Sequence, residues 1–255
     1  MGKGKKMKMN LKKYVNSAVV TACLVCAAAM PLKADMSVSM TTYGSYRQGL
    51  GGEFTFYLEQ GFAPDYLDQY DQKAKPAGNA IQTFCLEETE YIYQYKTYDV
   101  TISNSAKNGG KNYADNAVPG LDNISSGSAW LYEQFAAGTL TGYNYSVATS
   151  DDINDRKYSG QLLQNAIWAL EDEMSMPTGN VFIDLLTSSG QFASIADAKN
   201  DYLGNKVAVM NLTLNGSRIQ DQIVLNPTPV PVPGALALAG IGTFIVGIRK
   251  RKAIS

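Results

Sequence analysis

The 255-residue chain contains 22 basic and 23 acidic residues but no histidine, and its basic residues are concentrated near the two ends. Seven of them lie in residues 1–34 and four in residues 249–252, so the part between carries 11 basic residues against all 23 acids, a net charge of −12. This charge argues against nucleic acid as a partner, because binding phosphate groups requires clustered cations.

The N-terminal region has the organisation of a secretory signal peptide. A basic segment, residues 1–13, precedes a mostly apolar segment, residues 14–30, and Ala34 offers a small residue at a cleavage point. We therefore expect residues 1–34 to direct export and to be removed after Ala34. Two alternatives remain: an uncleaved N-terminal anchor, and a lipoprotein site at Cys23, which ranks lower because the apolar run continues past it.

Residues 35–226 are expected to form the exported domain, with enough chain for one domain or two small lobes. Their pattern predicts strands first, then helices, then strands again, which indicates an α+β fold: a β-rich framework, sandwich or barrel-like, with an inserted helical portion. The predicted strands are Met36–Tyr57 (one or two strands), Thr83–Tyr98, Val100–Ser103, Val181–Leu186, Val207–Leu214 and Gln222–Leu225; the predicted helices are Ser128–Ala137, with a capping serine, and Tyr158–Ser175; Ser105–Asn112 is predicted to be a loop.

Cys85 is the one cysteine that remains after the predicted cleavage, because Cys23 and Cys26 lie in the signal peptide. Without histidine, no imidazole can activate the thiol as in cysteine proteases, and neither a histidine-ligated nor a cysteine-rich zinc site is possible. We predict no metal and no cofactor. A lone cysteine is either a small buried core residue, a cross-linking residue or a thiol that reacts without a base.

Gln164 lies beside the apolar stripe of the second predicted helix. A thiol and a glutamine amide in contact can condense, with loss of ammonia, to form an internal thioester. Such a bond persists only where water is excluded, and Phe84 and Trp168 are aromatic neighbours in sequence that would exclude it.

The segments FCLE (residues 84–87) and QNAIW (residues 164–168) resemble the paired motifs of bacterial thioester domains at the tips of surface adhesins. In that family an aromatic-Cys segment supplies the thiol, and a Gln-x-Ala-Ile-Trp segment on a helix supplies the acyl group. The resemblance implies that Cys85 and Gln164 form the thioester, in a pocket that includes Phe84, Ala166, Ile167 and Trp168. Leu163 stands where the adhesin motif often has threonine; Gln82 and Gln161 are alternative amides, but neither precedes Ala-Ile-Trp.

Two acidic clusters are weaker candidates for a site. Asp151–Asp155 could bind calcium through oxygen ligands, but it lacks the glycine and the distal glutamate of a calcium loop, so a solvated loop is the favoured interpretation. Glu171–Glu173, near the end of the second predicted helix, is expected to be a solvent-exposed face.

The C-terminal region is predicted to contact a membrane. Residues 227–234 form a proline-rich linker, which fits neither a helix nor a sheet interior. Residues 235–248 carry no charge and are followed by the basic cluster 249–252. Their 14 residues fall short of the ~20 that a membrane span needs, but the basic end is typical of a tail that stays on the cytoplasmic side, or of a signal that an enzyme removes.

The segment VPVPGALALAGIGTFIVGIRKRK is similar to the PEP-CTERM sorting signals of bacterial exopolysaccharide-associated proteins. The proline-containing opening, the small-residue-rich apolar segment and the Arg/Lys end carry the resemblance, with Val-Pro-Gly in place of Pro-Glu-Pro. The resemblance implies that residues 235–255 anchor the protein in the membrane at least transiently. It also implies recognition by an exosortase-type sorting enzyme and a final location at the cell surface or in the extracellular matrix.

The function expected from these features is covalent adhesion. The thioester would react once with a nucleophile on a target surface, either an amine of a protein or a hydroxyl of a polysaccharide. Because this is a single reaction and not turnover, we do not predict an enzyme. The alternative is a non-reactive structural protein of the exopolysaccharide or biofilm matrix that has the same fold, in which Cys85 is core packing.

Overall fold

The framework of the protein is an antiparallel sheet that closes on itself. The structure, a computed structural model, describes residues 35–107, 122–146 and 150–227. Its strands are β1 (Met36–Met40), β2 (Arg47–Gln48), β3 (Gly51–Gly52), β4 (Phe54–Gln60), β5 (Ala80–Cys85), β6 (Lys96–Ser103), β7 (Ser105–Ala106), β8 (Asp122–Asn123), β9 (Val207–Leu214) and β10 (Ser217–Leu225). Within the described residues, six of these strands form a closed barrel in the order β1-β4-β5-β10-β9-β6.

The helices lie between β8 and β9 in the sequence. They are α1 (Ser126–Ala136), α2 (Ser150–Leu170), α3 (Val181–Ser188) and α4 (Ile195–Ala198), and a 3-10 turn, Tyr66–Gln69, follows β4. The prediction of an α+β fold with a β-rich, barrel-like framework and an inserted helical portion is therefore confirmed.

Strand β5 is buried at all six positions because both of its faces are covered. On one face, Thr83 lies beside the buried ring of Phe54, its register partner in the neighbouring barrel strand β4. On the other face, the ring of Phe84 contacts Phe135 of α1 edge-on at a centroid distance of 5.1 Å. The hydroxyl of Tyr132 in α1 also donates to the backbone carbonyl of Gln82 at 2.8 Å.

Both long helices differ from their predicted bounds. Helix α1 begins at Ser126 because Ser125 is its N-cap residue, with Oγ accepting from the N–H of Ser128 at 3.1 Å. Helix α2 begins at Ser150, so Asp151–Asp155 lies in its first turns and is not the predicted loop. The prediction of a solvent-exposed face at Glu171–Glu173 was also wrong for two of its residues: Glu171 and Glu173 are buried.

Two predicted strands are wrong. Val181–Leu186 is part of helix α3, because Oδ1 of Asn180 caps the helix by accepting from the N–H groups of Phe182 and Ile183. The predicted strand Thr83–Tyr98 ends at Cys85 and resumes only at Lys96. Between Cys85 and Lys96, side chains take the place of a neighbouring strand as hydrogen-bond partners of the backbone. For example, the Gln220 amide donates to the carbonyls of Glu87 and Glu90 at 3.0 and 2.8 Å.

Several predicted features lie outside the described residues: the signal peptide, most of the proline-rich linker, the C-terminal segment and residues 108–112 of the predicted loop. Ser105–Ala106, at the start of that loop, is strand β7 and pairs with β8. None of the helices within the described residues combines the length and the apolar composition that crossing a membrane requires.

Candidate functional site

The candidate site lies where strand β5 ends against helix α2. Cys85 is the last residue of β5, and Gln164 lies in the C-terminal half of α2, 79 positions later in the chain. The structure brings the two side chains into contact, and both residues are 0% exposed. The cysteine sulfur is 3.2 Å from Oε1 of Gln164, the oxygen of the amide that the thiol would attack.

The Gln164 amide also pairs with the backbone of Cys85. Its Oε1 accepts from the Cys85 N–H at 3.1 Å, and its Nε2 donates to the Cys85 carbonyl at 2.7 Å. These backbone groups have no partner in β4, because that strand begins at Phe54, opposite Thr83. Cys85 therefore extends two residues beyond the end of its neighbouring strand. The amide occupies the place opposite Cys85 that Gly52, two residues before Phe54, would take if β4 continued in the same register.

The surroundings of Cys85 keep its thiol protonated. Burial raises the pKa of Cys85 well above its ordinary value, and the nearby carboxylate of Glu87 raises it further. The indole N–H of Trp168 and the positive charge of Arg47 act in the opposite direction but are smaller effects. The thiol is therefore a poor spontaneous nucleophile, and a reaction with the amide must depend on proximity and on polarisation of the carbonyl.

The other four predicted pocket residues are buried, and of these Trp168 lies beside the pair. Trp168, one turn after Gln164, is 4% exposed, and its indole N–H lies close enough to Cys85 to lower the pKa of the thiol without reaching full hydrogen-bond geometry. Ala166 and Ile167 are fully buried in the core. Phe84 points to the opposite side of β5 from Cys85, because successive strand residues alternate, and it shields the strand from the α1 side.

Sequence reasoning missed the residue that covers the pair, Gly51. A Cβ atom at this position would lie 2.4 Å from Cγ of Gln164 and 2.9 Å from Cη2 of Trp168, distances at which atoms overlap. Gly51 therefore packs its backbone directly on the Gln164 side chain. The Gly51-Gly52 pair was visible in the sequence, but its significance depends on the position of α2.

Two acids that follow Cys85 in the chain, Glu87 and Glu90, have raised pKa values. Glu87 accepts from the N–H of Asp221 at 3.0 Å through Oε2, while its Oε1 has no partner among the described residues. Burial and then the negative charge of Asp221 raise the pKa of Glu87 well above its ordinary value. Glu90 has a pKa raised to about 7, chiefly by burial. No group of three or more potential ligating side chains that could hold a metal ion occurs in the described part of the chain.

The geometry suits the condensation of the thiol with the amide. Attack of Sγ on the side-chain carbonyl carbon of Gln164 would form a C–S bond and develop negative charge on Oε1, where the Cys85 N–H already donates. Breaking the C–N bond would release Nε2 as ammonia, which takes up the thiol proton. The product would be a thioester between Cys85 and Gln164.

Comparisons of the chain with protein-family models, with curated protein sequences and with solved structures find no match.

Proposed function

We propose that the protein is an exported surface or matrix protein that bonds covalently to its target through a thioester between Cys85 and Gln164. The observation that carries the proposal is the distance of 3.2 Å between Sγ of Cys85 and Oε1 of Gln164, at a position where both residues are fully buried. A thioester requires both contact and exclusion of water.

The reaction with the target is a single acyl transfer. An amine of a protein or a hydroxyl of a polysaccharide attacks the thioester carbonyl, the C–S bond breaks, and Cys85 leaves as a thiolate that takes up the proton of the nucleophile. The product is an amide or ester bond between the Gln164 side chain and the target. The thioester is not regenerated, so the protein is a covalent adhesin and not an enzyme.

Export and membrane sorting are part of the same proposal. The sequence features of residues 1–34 support cleavage after Ala34, and the likeness of residues 235–255 to PEP-CTERM signals supports an exosortase-type enzyme as a partner and transient anchoring in the membrane. N-terminal sequencing of exported protein should begin at Asp35. Recovery of the uncleaved chain from the cytoplasm would contradict this part of the proposal.

The thioester itself is tested by the intact mass of the domain comprising residues 35–226. We expect a mass lower than that of the sequence by one ammonia, and addition of methylamine at Gln164 located by peptide mapping. Cys85→Ser and Gln161→Ala are the matched variants: the first should show the full sequence mass, and the second should still lose ammonia. An unmodified mass together with a Cys85 thiol that titrates freely in the folded protein would refute the proposal.

The second candidate is a structural matrix protein in which Cys85 and Gln164 only pack and form hydrogen bonds. The burial that raises the pKa of Cys85 supports it, because a protonated thiol is unreactive. Retention of the Cys85→Ala protein on cells or matrix after denaturing washes separates the two candidates. Unchanged retention favours the structural function, and complete loss favours the covalent one.

A further inference from the structure

The hairpin formed by β2 and β3 covers the Cys85–Gln164 pair. Its strands pair Arg47 with Gly52 and Gln48 with Gly51, and Gly51 is the residue that contacts Gln164 and Trp168. Between the strands, Leu50 is 66% exposed at the hairpin tip. The site is therefore covered by a short hairpin with two residue pairs and an exposed apolar residue at its tip. This hairpin is separate from the barrel sheet.

One face of α2 holds this hairpin. Arg156, Gly160, Gln164 and Trp168 are spaced four residues apart, so they lie along one side of the helix. At the first position, Arg156 contacts the segment that enters the hairpin, with its guanidinium 4.1 Å from the ring centroid of Tyr46. A Cβ at Gly160 would lie 3.4 Å from the carbonyl of Tyr46, an ordinary van der Waals distance.

A buried ion pair anchors the exit of the hairpin. Arg156 donates to both carboxylate oxygens of Glu53, at 2.7 and 2.9 Å, and the two side chains are 1% and 0% exposed. The Tyr143 hydroxyl donates to the same carboxylate at 2.5 Å. Removing one partner of such a pair leaves a buried charge without compensation, so the contact resists local opening.

A narrow cleft runs beside the hairpin. It has a volume of about 60 Å³ and is lined partly by Arg47 and Leu50 of the hairpin and by Glu88, Glu90 and Tyr91 of the segment that follows Cys85. The cleft borders both the hairpin and the segment after β5, so displacement of the hairpin would widen it toward the sulfur. A nucleophile in solvent has no access to two fully buried residues without some displacement of this kind.

We propose that residues 47–52 are a gate that presses Gln164 against Cys85 and must open locally before either group meets a solvent molecule, and that the Glu53–Arg156 ion pair is the clamp that keeps it closed. Gly51 and Arg156 are then positioning residues. If the hairpin controls access to a thioester, this proposal rests on the proposed function. If it controls access to a free Cys85 thiol, this proposal is independent of that function.

The experiment measures the rate at which a small reagent in solution reacts at the site, as a function of urea concentration. If the thioester forms, the readout is methylamine addition at Gln164; if it does not, the readout is alkylation of Cys85 by iodoacetamide. Local opening predicts a rate that is nearly independent of urea below the unfolding transition, because a small hairpin exposes little surface. A rate that follows global unfolding, with the full urea dependence, would refute the gate.

Two variants test the clamp and the contact. Glu53→Gln and Gly51→Ala should each raise the urea-independent rate by about tenfold or more, through loss of the ion pair and displacement of the hairpin. The matched control is Glu133→Gln, which breaks the exposed Lys206–Glu133 pair and should leave the rate unchanged. If Glu53→Gln fails to fold, Gly51→Ala decides: a rate equal to that of the unmodified protein would overturn the proposal.

The two readouts separate this proposal from the proposed function. A full sequence mass with urea-independent alkylation of Cys85, accelerated in Gly51→Ala, refutes the thioester and supports the gate. Loss of ammonia with a reaction that follows global unfolding supports the thioester and refutes the gate.

Discussion

The side chain of Gln164 meets the backbone of Cys85 as a neighbouring strand would, accepting from its N–H at 3.1 Å and donating to its carbonyl at 2.7 Å. On its opposite edge, β5 pairs with β10, and the N–H of Leu86 donates to the carbonyl of Asp221 at 3.1 Å. The amide is thus held by the same hydrogen bonds that hold the sheet, and its carbonyl is kept beside the sulfur.

The variant Gln164→Ala should lose both stability and chemistry. It removes the three hydrogen bonds with Cys85 and leaves a cavity, so we expect the free energy of unfolding in urea to fall by about 2–4 kcal/mol. No ammonia loss should be detected by mass spectrometry. Gln161→Ala is the control, because that half-buried amide donates only to Asn165 on its own helix. Equal stabilities of the two variants would contradict the packing described for the site.

Trp168→Phe should make the site more accessible without unfolding the protein. The indole N–H has no partner in full hydrogen-bond geometry among the described residues, so its removal costs little beyond its effect on the Cys85 thiol, but the smaller ring loses the packing of Cη2 on Gly51. We expect the rate of methylamine addition, or of Cys85 alkylation, to rise about fivefold as the hairpin loosens. Trp130→Phe, which alters a ring that contacts Phe192, should leave this rate unchanged.

The acids beside the cleft should favour a cationic amine over a neutral hydroxyl. Glu88 and Glu90 line the cleft, and their negative charge attracts an ammonium group, with a gain of about 1 kcal/mol or less for each partly solvated carboxylate. Replacing both with glutamine should lower the addition rate of spermidine severalfold relative to that of glycerol. Glu59→Gln, which neutralises an exposed acid of β4, is the control; a preference for spermidine that survives the double substitution would contradict this prediction.

The same preference should depend on pH. Because the pKa of Glu90 is raised to about 7, its carboxyl is largely protonated at pH 6 and ionised at pH 8. Attraction of the ammonium group should therefore increase across this interval. The measurement is the ratio of the spermidine and glycerol rates at pH 6, 7 and 8 in the unmodified and Glu90→Gln proteins, because the free-amine fraction of spermidine also rises with pH, and equally in both. Between pH 6 and pH 8, the ratio should rise less in the Glu90→Gln protein than in the unmodified protein.

Glu171 should make the protein more stable in mild acid. The pKa of Glu171 is raised to about 7, chiefly by burial and to a smaller extent by the negative charge of Asp122. Hydrogen bonds from Ser128 and Ser125 act in the opposite direction. The folded protein therefore keeps a proton that the unfolded chain loses above about 4.5. The contribution of Glu171 to the free energy of unfolding is complete below pH 4.5 and is lost as the pH rises to about 7. The loss is on the order of 3 kcal/mol.

The measurement is the free energy of unfolding in urea between pH 4.5 and 8. Glu171→Gln cannot ionise, so the decline in stability should be smaller in this variant than in the unmodified protein. Asp221 and Glu90 have raised pKa values of the same sign, so part of the decline should remain. Glu59→Gln should leave the pH profile unchanged, and a Glu171→Gln profile that matches the unmodified protein would show that Glu171 does not titrate in this range.

Much of the fold followed from the pattern of residues along the chain. Strand β9 was predicted with its observed bounds, because β-branched and apolar residues fill every position of Val207–Leu214 except Asn211. Val181–Leu186 has an equally apolar run and was assigned wrongly, since a short run of this kind suits a strand and a helix alike. The Asn180 cap and the placement of Phe182, Ile183 and Leu186 in the core decide for the helix.

Residue types along the chain were enough to single out the candidate pair: the absence of histidine removed the usual chemistry of Cys85, and the QNAIW segment pointed to Gln164. The folded arrangement was needed to find that the amide fills the end of β5, that Gly51 covers it and that Glu53 and Arg156 contact the covering hairpin. These contacts join residues that are far apart in the chain, and their short distances result from barrel closure and the packing of α2. The four-residue spacing of the α2 residues is visible in the sequence, but the residues that they contact on β5 and on the hairpin are not.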